Sequence, residues 1–151
     1  MNEISWAALA ILFTVLWGPD SADYALSDLS SLYCLSANTY HEARGESYRE
    51  QVAVSQVVLN RVADSRWPDT VCSVVTQKNQ FSWYWDTRPD TIHDLKAFRE
   101  NVYAAVATYT GQTNDITGGA TNYYAHNLID PPTWAKDMTV TLKLGGHTYL
   151  K

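Results

Sequence analysis

The chain is poor in positive charge, with 11 Lys and Arg against 16 Asp and Glu, a formal charge of −5 and a pI of about 5.2. A nucleic-acid surface leaves a basic footprint, so no nucleic-acid partner is expected. No apolar run is long enough to span a bilayer as a helix. The longest, from Ile4 to Trp17, has 14 residues where roughly 17–25 are needed. No basic residue precedes that run, and Glu3 is the only charge before it. Cysteine is limited to Cys34 and Cys72. There is no internal repeat or low-complexity tract, and 151 residues leave no room for a second domain of ordinary size.

Metal and phosphate motifs are missing as well. His41-Glu42 begins like a zinc-binding H-E-x-x-H helix, but the position that needs the second His is Gly45. His93, His126 and His147 are scattered singly, so no metal site is expected. Gly118-Gly119 lacks a phosphate-cradling context and reads as a turn, and no cofactor is implied.

Aromatic residues, by contrast, are abundant. Six Trp, ten Tyr and three Phe make 13% of the chain, more than a core of this size needs, so some rings should face a ligand. The apolar content is 46% with 18% charged residues, which is a globular composition.

The segment 1–22 fits a signal peptide or an N-terminal membrane anchor, with a buried N-terminal helix as the third reading. Asp20-Ser21-Ala22 is a poor version of the small-x-small cleavage pattern. A membrane contact through residues 4–17 is therefore one partner to test. Residues 23–151 form the remaining domain. An even pair of cysteines behind an export-like leader reads as one disulfide, Cys34–Cys72, with two buried thiols or a nucleophilic Cys as the alternatives; apolar helical contexts without a neighbouring base weigh against the nucleophile.

Along the domain, Asp28 can cap a helix running to about Glu42, and Gly45 breaks it. Ser47 and Glu50 have capping-box spacing and open a helix that is apolar nearly all round. Asp69 or Thr70 caps a short helix through Val71–Val75. Asp90 or Thr91 begins a longer one, with Leu95, Phe98, Val102, Val106 and Tyr109 on one face and Gly111 after its end. Two stretches, 78–89 and 112–137, read as irregular. From Thr139 to Leu150, strict alternation around Gly145-Gly146 predicts a β-hairpin. The fold class is α+β, mostly α.

Among possible reactive groups, Glu42 stands out. It falls at the end of an apolar helix just before a tight turn, where partial burial raises a carboxyl pKa and makes a general acid. Glu50 is explained by capping, and Glu46 with Arg44 reads as a local ion pair or a device that orients the turn. The irregular stretches supply a glycan-like chemistry. Gln80, Ser82 and Trp83 in one loop, and Asn122, Tyr123, Tyr124 and Trp134 in the other, offer rings for sugar faces and amides or hydroxyls for their rims. Phe81 and one of Tyr123 or Tyr124 should pack beneath their own loops.

The series Tyr40-His41-Glu42-Ala43-Arg44-Gly45-Glu46, Gln51–Val54, Val58–Val62, Pro68–Cys72, Gln80-Phe81-Ser82, Ala120–Ala125, Trp134-Ala135 and Gly145-Gly146-His147 resembles the SleB/CwlJ-type cell wall hydrolases. The resemblance implies a lysozyme-like, mostly helical domain acting on peptidoglycan glycan strands. It also implies Glu42 as the catalytic glutamate of a lytic transglycosylase, with Tyr40 near the substrate. A hydrolytic muramidase of the endolysin type would normally want a second carboxylate, for which Glu46 and Asp86 are candidates. The non-enzymatic alternative is a glycan-binding module; a wall amidase or peptidase would need zinc ligands or an activated Cys. Germination members usually carry a separate wall-binding domain that these residues do not contain, so a small exported lysin, expected to be a monomer, is the reading. The acidity is concentrated early: residues 1–33 hold four acids and no base, whereas 34–151 hold twelve acids and eleven bases. The catalytic region is thus close to neutral.

Overall fold

In the computed structural model, which describes residues 6–17, 24–87 and 91–151, helices dominate. They are α1 (Trp6–Leu16), α2 (Leu26–Ala43), α3 (Tyr48–Val62), the short α4 (Val71–Val75) and α5 (Ser82–Trp85), and α6 (Leu95–Tyr109). Strands β1 (Asn122–Ala125), β2 (Val140–Leu144) and β3 (His147–Leu150) form one antiparallel sheet in the order β1-β3-β2.

Helix starts follow the local chemistry, with two differences. Ser47 accepts from the Glu50 amide while the Glu50 carboxylate accepts from the Ser47 amide, so the capping box at α3 is present. Thr70 caps α4. Helix α2 begins two residues before Asp28, whose carboxylate accepts from the Ala25 amide from within the first turn. Asp94, rather than Thr91, caps α6 by accepting from the Ala97 amide at 2.9 Å; Asp90 and the cleavage-like Asp20-Ser21-Ala22 lie outside the described residues.

Helices α2, α3 and α6 pack around two apolar clusters. In one, Leu35 meets Val58, Val74, Val75 and Phe81. In the other, Ala8, Ile11, Leu12 and Leu16 of α1 lie on Leu32, Tyr40, Phe98 and Val102. The inner side of α1 thus packs against α2 and α6. The Cys34–Cys72 disulfide ties α2 to α4 with a Cα separation of 5.3 Å. The two cysteines are 38 positions apart, and closing a loop of that length contributes about 3–4 kcal/mol by the chain-entropy account.

The expected hairpin is present as β2–β3, and β1 adds a third strand that local patterning did not reveal. Asn122–Ala125 is only four residues long and is a strand by virtue of pairing with β3, from Asn122 opposite Leu150 to Ala125 opposite His147. Sheet and helices meet where Tyr149 packs on Ala53 and Val57. The β2–β3 turn is also seated on α3. Gly145 has φ +54°, and a Cβ there would lie 1.8 Å from a Glu50 carboxylate oxygen, so glycine is required on both grounds.

Candidate active site

Glu42 is carried by the last turn of α2, where Arg44 leaves the helix in an extended conformation and Gly45 follows at φ +86°. Its side chain is partly buried and lines an open pocket of about 450 Å³ together with Asn79, Gln80, Ser82, Trp85 and Asp86. The Tyr123 hydroxyl, 81 residues away in sequence, donates to Glu42 Oε2 at 2.8 Å. Burial pushes the Glu42 carboxyl above its ordinary value, and the Tyr123 hydrogen bond and the charges of His147 and Arg61 pull it part of the way back. Tyr123 in turn is held well above the usual phenol range, by burial and then by the Glu42 charge, so it stays a donor.

Tyr123 reaches Glu42 because α3 clamps the segment that precedes β1. The Asn60 side-chain amide donates to the Ala120 carbonyl at 2.9 Å, and Arg61 Nε donates to the Thr121 carbonyl at 2.6 Å. Arg61 is buried, with its guanidinium over the rings of Trp67 at 4.1 Å and Phe81 at 5.2 Å. Burial lowers its pKa to about 10, opposed by Tyr123 and Glu42. A second support comes from Glu50, also buried, which accepts from the Gly146 amide at 3.2 Å and lies 3.5 Å from His147 Nδ1. The His147 ring meets Tyr123 edge-on at 5.6 Å. Burial alone would raise Glu50, but Ser47, the Gly146 amide and His147 together bring its pKa below the usual value.

The residues expected at the site fall into three groups. Glu42, Gln80 and Ser82 line the pocket, and Tyr123 holds the Glu42 carboxyl. Trp83 is half-buried on the far side of α5, stacked on His41 at 4.3 Å, with its indole N–H donating to Asn38. Tyr124, one residue along β1 from Tyr123, points to the opposite face of the strand and meets Trp134 at 6.2 Å. Asn122 shares that opposite face and accepts from the Thr121 hydroxyl.

Tyr40 requires correction. It is 1% exposed, and its hydroxyl accepts from the His93 and Asp94 amides, pinning the start of α6 instead of facing a sugar. The Arg44–Glu46 pair is also absent among the described residues, since Arg44 turns back to donate to the Tyr40 hydroxyl and cover its ring at 4.7 Å. Phe81 packs beneath its loop at 3% exposure, as anticipated. Asn60, Arg61, Glu50 and His147 were not singled out for the site. The available signal was a charged residue, Arg61, on the repeating face of an apolar helix.

The domain is mostly helical with a three-stranded sheet, and it carries the partly buried Glu42 carboxyl in a pocket lined by amide and aromatic side chains. Residues 45–150 match the Cell Wall Hydrolase family, and the chain belongs to it. The match begins three residues after Glu42. A spore cortex-lytic enzyme of Oceanobacillus iheyensis is 49% identical over 118 residues, 78% of this chain and 40% of that protein. One from Halalkalibacterium halodurans is 35% identical over 128 residues, 85% of this chain and 36% of that protein. The chain thus spans about two fifths of the length of these curated relatives. Among solved structures, the catalytic domain of the Bacillus cereus SleB protein superposes with a TM-score of 0.69 at 26% identity, covering 85% of this chain and 93% of that domain.

Proposed function

We propose that the protein is an exported glycosidase that cleaves the β-1,4 bond between N-acetylmuramic acid and N-acetylglucosamine in peptidoglycan glycan strands, acting as a lytic transglycosylase and as a monomer. Residues 23–151 would hold the catalytic domain. The observation that carries this reading is the Glu42 carboxyl: burial raises its pKa, Tyr123 engages one of its oxygens, and it lines the pocket formed with Gln80 and Ser82. With Oε2 engaged, Oε1 is the oxygen suited to transfer a proton.

In the first step Glu42 protonates the glycosidic oxygen, and the bond from that oxygen to C1 breaks. The electron deficit is left on the muramic sugar as an oxocarbenium-like species. Its own 6-hydroxyl oxygen then bonds to C1 while the Glu42 carboxylate takes the hydroxyl proton. Glu42 ends protonated as it began, no water is consumed, and the product is a 1,6-anhydro sugar. One carboxyl group suffices for both transfers. The amide and hydroxyl of Gln80 and Ser82 suit the N-acetyl and hydroxyl rim of the sugars, and the Trp85 ring suits a sugar face.

Mass spectrometry of digested sacculi tests the chemistry. Products lighter by one water than reducing-end muropeptides are expected, and Glu42→Gln should lower the rate by about 10²–10⁴-fold, the usual range for a lost general acid-base group. Full activity in Glu42→Gln would remove the assignment. A hydrolytic muramidase is the second reading, favoured by Asp86 in the same pocket. Reducing-end products alone, together with a large rate loss in Asp86→Asn, would establish it instead.

A further inference from the structure

Helix α1 is apolar on every side, yet the fold covers only one of them. Ala8, Ile11, Leu12 and Leu16 are buried against α2 and α6. On the outer side Trp6 is 84% exposed, Phe13 47% and Trp17 44%, and Leu26 at the start of α2 adds 83% beside them. No acidic or basic side chain lies in the helix. Its one hydroxyl, on Thr14, donates to the Ile11 carbonyl at 2.8 Å and needs no water partner. Phe13 and Trp17 stack at 4.9 Å, and Tyr24 closes on Trp17 edge-to-face at 6.4 Å. A large exposed apolar patch on a soluble fold marks a contact surface.

We propose that this outer stripe docks the domain flat on a neutral phospholipid bilayer, with α1 lying in the plane of the interface. The inference rests on the export reading above. Three observations select lipid as the occupant. Eleven residues reach about 16 Å at 1.5 Å each, roughly half of a hydrocarbon core, so the helix can lie in the bilayer surface but cannot cross it. Tryptophan stands at both ends of the stripe, and indole rings favour the boundary between headgroups and acyl chains. The chain before Cys34 has four acids and no Lys or Arg, which points to uncharged or zwitterionic headgroups over anionic ones. An interfacial helix ordinarily offers water its polar face; here the domain core replaces water on that side.

The surface also has depth. Behind Phe13 and Leu26 an apolar cavity of about 490 Å³ lies between α1 and α2 and extends to Trp83 and His41. That volume is comparable to one acyl chain, and the lining residue His41 immediately precedes Glu42.

The test uses the full-length protein and vesicles of phosphatidylcholine alone. Co-sedimentation is expected, along with quenching of tryptophan fluorescence by brominated acyl chains. Phe13→Gln with Trp17→Gln should weaken partitioning at least tenfold, because two aromatic rings no longer leave water for the interface. The melting temperature of the variant checks that the inner side of α1 still packs on the core. The quenching measurement on the unaltered chain tests the proposal even if the double variant does not fold. A chain that stays in the supernatant and is not quenched overturns the proposal. So does binding only when anionic lipid is added, or lipid-free dimerisation that the same two substitutions abolish. Muropeptide release from lipid-free sacculi should be the same in the double variant. Release without vesicle binding would refute the docking while leaving wall cleavage intact, and vesicle binding without release would do the reverse.

Discussion

Glu42 and Glu50 are eight positions apart and sit on facing helix ends, one on the last turn of α2 and the other on the first turn of α3. Both are shielded from water, but their acidities move in opposite directions. Glu42 faces the negative end of its helix and has one close donor, Tyr123, so the burial cost prevails and the proton is held more tightly. Glu50 faces the positive end of α3, and the Ser47 amide, the Ser47 hydroxyl and the Gly146 amide all donate to it. Charge on Glu50 is therefore favoured. On the proposed mechanism, the difference separates a carboxyl that exchanges a proton from one that stays ionised and joins α3 to the β2–β3 turn.

The most severe way to break this contrast is to remove Glu50. Glu50→Ala would take the acceptor from the part-buried hydrogen bonds of the Ser47 and Gly146 amides, which contribute about 0.5–1.5 kcal/mol each. A total of about 1–3 kcal/mol is expected, and at about 2–4 °C per kcal/mol for a domain of this size the melting temperature should fall by about 2–12 °C. Because the same turn sets His147 against Tyr123, the rate should fall even where the protein is fully folded. A melting temperature within a degree of the parent would show that Glu50 is not the tie between α3 and the hairpin.

A smaller effect is expected from Tyr123→Phe, which sharpens the contrast from the other side. The hydroxyl favours the ionised form of Glu42, so its loss should raise the Glu42 pKa further and move the alkaline limb of the pH–rate profile upward. The rate at the optimum should fall about tenfold, since the carboxyl loses the donor that fixes its orientation. An unmoved alkaline limb would disconnect Tyr123 from the titrating acid.

How much of this could be read before folding depends on the range of each interaction. Ser47 with Glu50 and Thr70 with Ser73 are pairs three residues apart, and both follow from capping rules. The disulfide followed from an even cysteine count behind an export-like leader. Tyr40 was misplaced because helical periodicity marks a buried aromatic and a cleft aromatic alike; only the arrival of the His93 and Asp94 amides at its hydroxyl decides between them. The Tyr123–Glu42 contact and the Arg61–Thr121 clamp join residues 81 and 60 positions apart, and no local pattern encodes either. Strand β1 was hidden for the same reason, being a strand only in register with β3.

The subtlest test reads the two acids through stability. Glu42 has a raised pKa in the folded state, so the fold binds more protons there than the unfolded chain, and its contribution is fully present at low pH and lost as pH rises through the folded value. Glu50 has a lowered pKa, so its contribution is present above the ordinary carboxylate range and lost as pH falls through its folded value. Glu42→Gln should therefore match the parent near pH 4 and become the more stable of the two toward pH 7, while Glu50→Gln should lose most at pH 7 and approach the parent under acid. Urea melts at a series of pH values would give two difference curves that diverge as pH rises, one upward and one downward. Parallel curves would mean that the two environments do not separate the acids, and the assignment of the proton-exchanging role to Glu42 would lose its physical basis.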